Sequence, residues 1–107
     1  MYQITLSASP EDQFLTISLG GQLDASAAKS LASLCDKAVT PDQLLLLYFS
    51  EVRTADESLL GALLHARDRA GGEDARILLF NTPTALRDLL ERAECDNLFT
   101  FDQLTRA

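Results

Sequence analysis

Polar and apolar residues alternate from the start of the chain. Tyr2, Ile4 and Leu6 are each followed by a polar residue, and after the turn-forming Ala8-Ser9-Pro10-Glu11-Asp12 the alternation resumes with Leu15, Ile17 and Leu19. A period of two places each set on one face of a strand, so two strands joined as a hairpin are predicted. Gly20-Gly21 breaks the pattern. Beyond it, Ala28, Leu31, Leu34, Cys35 and Ala38 recur at helical spacing behind Asp24 and Ser26, either of which has the side-chain oxygen that an N-cap needs. This first helix is predicted to end near Thr40-Pro41.

Leu44 to Phe49 is an apolar run without alternation, as expected of a strand covered on both faces. The next helix is predicted to start at Asp56 and stop at Gly71-Gly72. Its buried stripe is Leu59, Leu60, Leu63 and Leu64, with acids at the start and Arg67 and Arg69 near the end. Ile77 to Phe80 reads as another buried strand. Thr82 and Pro83 supply a cap and a first-turn proline for a helix carrying Leu86, Leu89, Leu90 and Ala93, and Leu98 to Phe101 adds a last short strand. The order β-β-α-β-α-β-α-β predicts an α/β fold with a four- to five-stranded mixed sheet. Its later strands are most easily parallel, and right-handed crossovers carry the helices mainly to one face. No internal repeat is visible.

Composition narrows the function classes. A chain of 107 residues is expected to form one domain, residues 1–107, able to bury a core without metal or disulfide staples. With 16 acidic residues against 9 basic ones, the net charge of -7 repels nucleic acid phosphates and anionic headgroups, so neither nucleic acid nor a membrane surface is an expected partner. No apolar run approaches the roughly 20 residues that cross a bilayer. The opening MYQITLSASPEDQ has neither a basic start nor an apolar h-region, so a cytoplasmic address is predicted. Cys35 and Cys95 lie far apart without CxxC spacing or a companion histidine and read as reduced thiols, with no zinc expected.

Catalytic arrangements find little support. His65, the sole histidine, sits mid-helix beside a leucine stripe, where a structural role is the expectation. Ser58, His65 and Asp56 make a triad on paper, but all three hang on one short helical segment with no nucleophile elbow. Asp56-Glu57 as half of a magnesium site lacks an opposing lysine, since Lys29 and Lys37 are both in the first helix. The glycine pairs lack a phosphate-binding context, so no cofactor is expected. Gly61 is the odd residue of the second helix. Its cost of about 1 kcal/mol relative to alanine implies a close approach, either of the helix to the sheet or of a partner to the helix start.

Thr54-Ala55-Asp56-Glu57-Ser58-Leu59-Leu60-Gly61, set between a buried strand and a glycine-ended helix, resembles the signature region of STAS domains, the family of bacterial anti-sigma factor antagonists. That signature runs Asp-Ser-Ser-Gly, Leu, Gly. Asp56 matches the Asp, Glu57 stands at the first Ser, Ser58 matches the second, Leu59 replaces the Gly, and Gly61 matches the later Gly. Gly21-Gln22-Leu23-Asp24 is similar to the family's Gly-x-Leu-Asp. Asn81-Thr82-Pro83 with Leu86, Leu89, Leu90 and Leu98-Phe99 is similar to its closing helix and strand.

The resemblance implies a bacterial, non-enzymatic regulator of partner switching. It would bind a kinase that is also an anti-sigma factor through the start of the second helix and the loop after the second strand, at Asp24, Ser26, Thr54, Asp56, Glu57, Ser58 and Gly61. In antagonists the first Ser is phosphorylated and the complex is released. Here Glu57 occupies that position as a fixed negative charge. It imitates the modified state, or the regulated group has moved to Ser58, or phosphorylation plays no part. Tyr48 is a further departure, where relatives often carry an acidic residue. Some STAS domains instead dock on and stabilise membrane lipid-transport ATPases, a role that also tolerates loss of the serine. Without the resemblance, Asp56-Glu57 reads as ordinary helix capping, contributing ~1 kcal/mol or less each.

Overall fold

Alternation in the first two segments produces the strands it predicts, β1 (Tyr2–Ala8) and β2 (Phe14–Leu23), paired antiparallel with Ile4 opposite Leu19 and Leu6 opposite Ile17. The computed structural model of the chain describes residues 1–9 and 13–102, so Pro10, Glu11 and Asp12 of the expected turn lie outside the described residues. There follow α1 (Ala25–Ala38), β3 (Leu44–Ala55), α2 (Ser58–Arg69), β4 (Arg76–Phe80), α3 (Thr84–Arg92) and β5 (Thr100–Asp102). The strands form one five-stranded sheet in the order β1-β2-β3-β4-β5, with every pair from β2 to β5 parallel. Consecutive parallel neighbours joined by right-handed crossovers put the connecting helices on one face, as the element order anticipates.

The core fills the space between that face and the helices. Leu15, Ile17 and Leu19 of β2, Leu45, Leu47 and Phe49 of β3, and Ile77 and Leu79 of β4 meet Leu31, Leu63, Leu86 and Leu90 of the helices, all of them buried. Each such side chain contributes roughly 1.5–3 kcal/mol of burial. Asp36 of α1 ties the two longer helices together at the surface, at 2.7 Å from His65 Nε2 and 3.8 Å from Arg69 Nε of α2.

Several expectations are corrected. β3 is covered on one face only: Leu45, Leu47 and Phe49 are buried, whereas Leu44, Leu46 and Tyr48 are half-buried on the open face. The apolar side chains of that face shield one another in part, Tyr48 stacking on Phe80 with centroids 4.5 Å apart, whereas Phe14 at the start of β2 stays 45% exposed. Gly20-Gly21 does not end β2. It gives the strand register shifts between Ser18 and Gly20 and between Gly21 and Gln22, with Gly21 at φ 81°. β3 likewise runs past Phe49 to Ala55, because the extended β2 offers it backbone partners.

The buried face of α2 is Leu59, Ala62, Leu63 and Ala66, with Leu60 half-buried and Leu64 37% exposed, since the small Ala62 and Ala66 let the helix approach its neighbours. In α3 the helix begins at Thr84 after Pro83, Thr82 makes no cap, and its Oγ1 is buried without a hydrogen-bond partner. Ala93, expected on the apolar face of that helix, is exposed just after it. The last strand starts at Thr100, two residues later than expected, because Asp96–Leu98 first forms a 3-10 turn.

A Cβ at Gly21 would stand 2.3 Å from the Met1 carbonyl oxygen, and the positive φ penalises any side chain independently. Gly21→Ala is therefore expected to lower unfolding free energy by roughly 1–3 kcal/mol, read as a lower urea midpoint with unchanged slope.

Candidate functional site

Two parallel strands that stop together bring their following loops together. β2 and β3 stay paired up to Leu23 opposite Ala55, so the next residues, Asp24 and Asp56, leave the same edge of the sheet side by side. The Asp56 N–H donates to the Leu23 carbonyl at 3.1 Å and fastens the second loop to the first.

Each loop then opens a helix. Asp24 is the N-cap of α1, its Oδ1 accepting from the Ala27 N–H at 3.0 Å while its carbonyl accepts from Ala28 at 2.9 Å. Asp56 Oδ1 accepts from the Ser58 N–H at 2.9 Å, and its carbonyl accepts from Leu59. α2 thus starts at Ser58, not at Asp56, and Asp56 caps it from one residue further out. Glu57 occupies the N-cap position with φ -65° and ψ -16°, is exposed, and makes no side-chain cap hydrogen bond. Two acids that look equivalent in sequence are therefore different: Asp56 is committed to backbone N–H groups, and Glu57 holds its carboxylate toward solvent beside the positive end of a helix.

Thr54 is exposed near the end of β3 opposite Gln22, and Ser26 is exposed in the first turn of α1. Ser58 is half-buried, with its N–H bound to Asp56. Gly61 is exposed, and a Cβ built on it meets nothing within 4 Å. A helix lying tight on the sheet does not explain this glycine, because α2 turns Leu59, Ala62 and Leu63 inward and leaves Gly61 outward. The structure gathers Asp24, Asp56, Glu57 and Ser58 at one edge, with Thr54 just before it and Ser26 and Gly61 just after. The Leu23 carbonyl completes the arrangement, and no side-chain pattern signals a backbone acceptor.

The rival chemistries do not assemble. His65 Nε2 lies 2.7 Å from Asp36 Oδ1 across the helix pair, and two helical turns, about 10 Å, separate it from Ser58. No cluster of three or more His, Cys, Asp or Glu that could hold a metal ion occurs among the described residues. No helix among them is long and apolar enough to cross a membrane. Cys35 is buried in α1, and desolvation, with a smaller contribution from Asp36 and partly offset by Arg69, pushes its thiol up to about 11.

A family model described as Mlab, STAS domain, matches residues 6–101. The chain belongs to the STAS family. A STAS-domain containing protein of Pseudomonas aeruginosa is 36% identical over 100 residues, covering 90% of this chain and 95% of its own. Solved structures share the fold: the Bacillus cell fate determinant SpoIIAA in its phosphorylated form, at TM-score 0.74 and 18% identity, covering 97% of this chain and 93% of that one, and an anti-sigma factor antagonist from Mycobacterium paratuberculosis, at TM-score 0.77 and 17% identity, covering 94% and 85%. The five-stranded sheet with three helices is thus that of the antagonists, and the resemblance drawn from Gly21-Gln22-Leu23-Asp24 and Asp56-Glu57-Ser58 is upheld at the level of the family.

Within this STAS domain the two acids separate experimentally. Asp56→Ala is expected to cost roughly 0.5–2 kcal/mol as a lost cap, Glu57→Ala within about 0.5 kcal/mol of zero, and Gly61→Ala to stabilise by about 0.5–1 kcal/mol, each from urea unfolding.

Cys35 has a reference value of 9.0, so between pH 9 and about 11 the unfolded chain sheds a proton that the folded one retains, and stability falls as pH rises through that window. Cys35→Ala should show a shallower decline over the same range, measured by denaturation at stepped pH.

Proposed function

We propose that this STAS domain is a non-enzymatic, cytoplasmic regulator that docks a protein partner on the exposed turn at the start of α2 and the adjoining start of α1. The partner class inferred is a kinase that doubles as an anti-sigma factor, and the contact residues are Asp24, Ser26, Thr54, Asp56, Glu57, Ser58 and Gly61. The bond from the Asp56 N–H to the Leu23 carbonyl carries the reading, because it joins the two loops into one surface. Glu57 sets the state of that surface. A phosphate adds about −1.5 to −2 charges at a helix N-terminus, where N–H groups and the dipole accommodate it. Glu57 supplies a single permanent charge at the same position and accepts no phosphoryl group as a serine does. The bare Gly61 suits this reading too, since no neighbour among the described residues lies within 4 Å of a Cβ built there and a partner lying close to the helix would account for the glycine.

A second reading, an assembly subunit that stabilises a membrane lipid-transport ATPase, is favoured by the same Glu57, because such a role requires no phosphorylation. Affinity capture from the native cell extract separates the two. The unaltered chain should recover either a histidine-kinase-like ATP-binding protein or a transporter ATPase, and Glu57→Lys should reduce that recovery by about tenfold or more. Under the first reading Glu57→Ser becomes a phosphoryl acceptor or binds the kinase more tightly. Equal recovery by all three forms, with no labelling of Glu57→Ser, contradicts the role assigned to this position.

A further inference from the structure

β1 is the outer strand of the sheet, and no strand pairs with its far side among the described residues. The Gln22 N–H donates to the Met1 carbonyl and the Ser9 N–H to the Phe14 carbonyl, each at 3.0 Å. Residues of an antiparallel ladder alternate between facing the partner and facing away, so the backbone N–H and C=O groups of Tyr2, Ile4 and Leu6 point to the free edge. Edge strands are ordinarily blunted by charges, proline or bulges. Tyr-Gln-Ile-Thr-Leu-Ser-Ala has none of these, its register against β2 is unbroken over all seven residues, and Leu6 is 39% exposed.

Beside this edge, with Tyr2 as the one β1 residue in its lining, runs an open groove under α1 lined also by Ser26, Lys29, Ser30, Ser33, Leu34 and Lys37 and by no carboxylate. The Tyr2 hydroxyl and Ser30 Oγ share a hydrogen bond of 2.6 Å across it. Lys29 and Lys37 are the only lysines of a chain of net charge -7, and neither joins an ion pair among the described residues. Lys37 sits in the last turn of α1, where a cation suits the helix dipole, but Lys29 is mid-helix and has no such reason to be there.

We propose that the free edge of β1 and the lysine-lined groove form a second docking site, which takes an extended acidic segment of a partner protein as an added strand. Main-chain bonds to Tyr2, Ile4 and Leu6 supply the pairing, and alternate side chains of the incoming strand enter the groove. The lysines are eight positions apart on α1, about 12 Å along its axis. Side chains four apart on a strand are separated by about 13 Å, so carboxylates at i and i+4 reach the two ammonium groups and one at i+2 faces the serine hydroxyls. A second copy of this chain does not fit, since pairing β1 with its twin across a two-fold axis sets the two lysine grooves side by side. The inference is independent of the partner assigned to the α2 surface.

The test titrates the full chain at low salt with a blocked heptapeptide of alternating glutamate and valine, and with its lysine-for-glutamate counterpart, followed by calorimetry and amide NMR. The glutamate peptide is expected to bind with shifts centred on Tyr2, Ile4 and Leu6, and the lysine peptide is not. K29E/K37E changes exposed side chains and should weaken binding about tenfold or more; glutamate at position 37 opposes the helix dipole, so a modestly lower urea midpoint is expected, and the amide NMR spectrum serves as the control that the fold is kept. Leu6→Pro, which removes an outward N–H and no ladder bond to β2, should weaken it as well. No binding of the glutamate peptide at millimolar concentration, equal binding of both peptides, unchanged affinity of K29E/K37E, or self-association of the chain through β1 overturns the proposal.

Discussion

Everything at the candidate surface depends on how far β2 and β3 remain paired. Had their parallel ladder ended with the leucine run near Phe49, the loops before α1 and α2 would leave the sheet as independent segments. The ladder continues instead through two register shifts to Leu23 and Ala55, and the Asp56 N–H adds one more bond beyond it. Glycine makes this possible. Gly21 adopts a conformation that other residues resist and lets the Met1 backbone pass where a Cβ would stand. The Gly-x-Leu-Asp sequence is thus a mechanical element: the glycine bends the strand, Leu23 anchors it in the core, and Asp24 opens the helix.

Two electrostatic roles follow from where each carboxylate stands. Asp24 and Asp56 are engaged with helix N-terminal N–H groups and hold the two loops in shape. Glu57 is exposed and makes no such bond, so its charge is available to whatever approaches. On the proposed reading, replacing a serine by Glu57 exchanges a switchable charge for a constant one at nearly the same place. The scaffold tolerates either, because an anion at a helix start is favoured by the dipole and by unpaired N–H groups.

The element order and the α/β class could be read from periodicity, because Tyr2, Ile4, Leu6 and Leu15, Ile17, Leu19 alternate cleanly; of the two cap candidates before α1, Asp24 and Ser26, the structure uses Asp24. The extent of the long strands could not. Ser50 to Ala55 is mostly polar, with only Val52 and Ala55 half-buried against the core, and backbone pairing with β2 makes it a strand where no side-chain alternation does. The one-sided cover of β3 was hidden for the opposite reason: Leu44, Leu46 and Tyr48 are apolar on a face that only neighbouring strands shield. At the site, Asp56-Glu57-Ser58 was visible as a motif. The division of labour between its two acids required knowing that α2 starts at Ser58, a boundary set by backbone geometry. Gly61 stands out in the sequence as a costly residue for a helix interior, but a tight approach to the sheet is excluded only once the helix is seen turned with Leu59 and Leu63 inward.

The central claim is that one surface, made of two loops tied by the β2–β3 ladder, is where the partner docks. Hydrogen exchange of the chain alone and in complex with the captured partner tests it most directly. The account predicts slowed exchange over residues 22–26 and 54–61 together, because the two loops are covered as one unit. Protection confined to one of these segments, or lying elsewhere while both exchange as in the free protein, contradicts it.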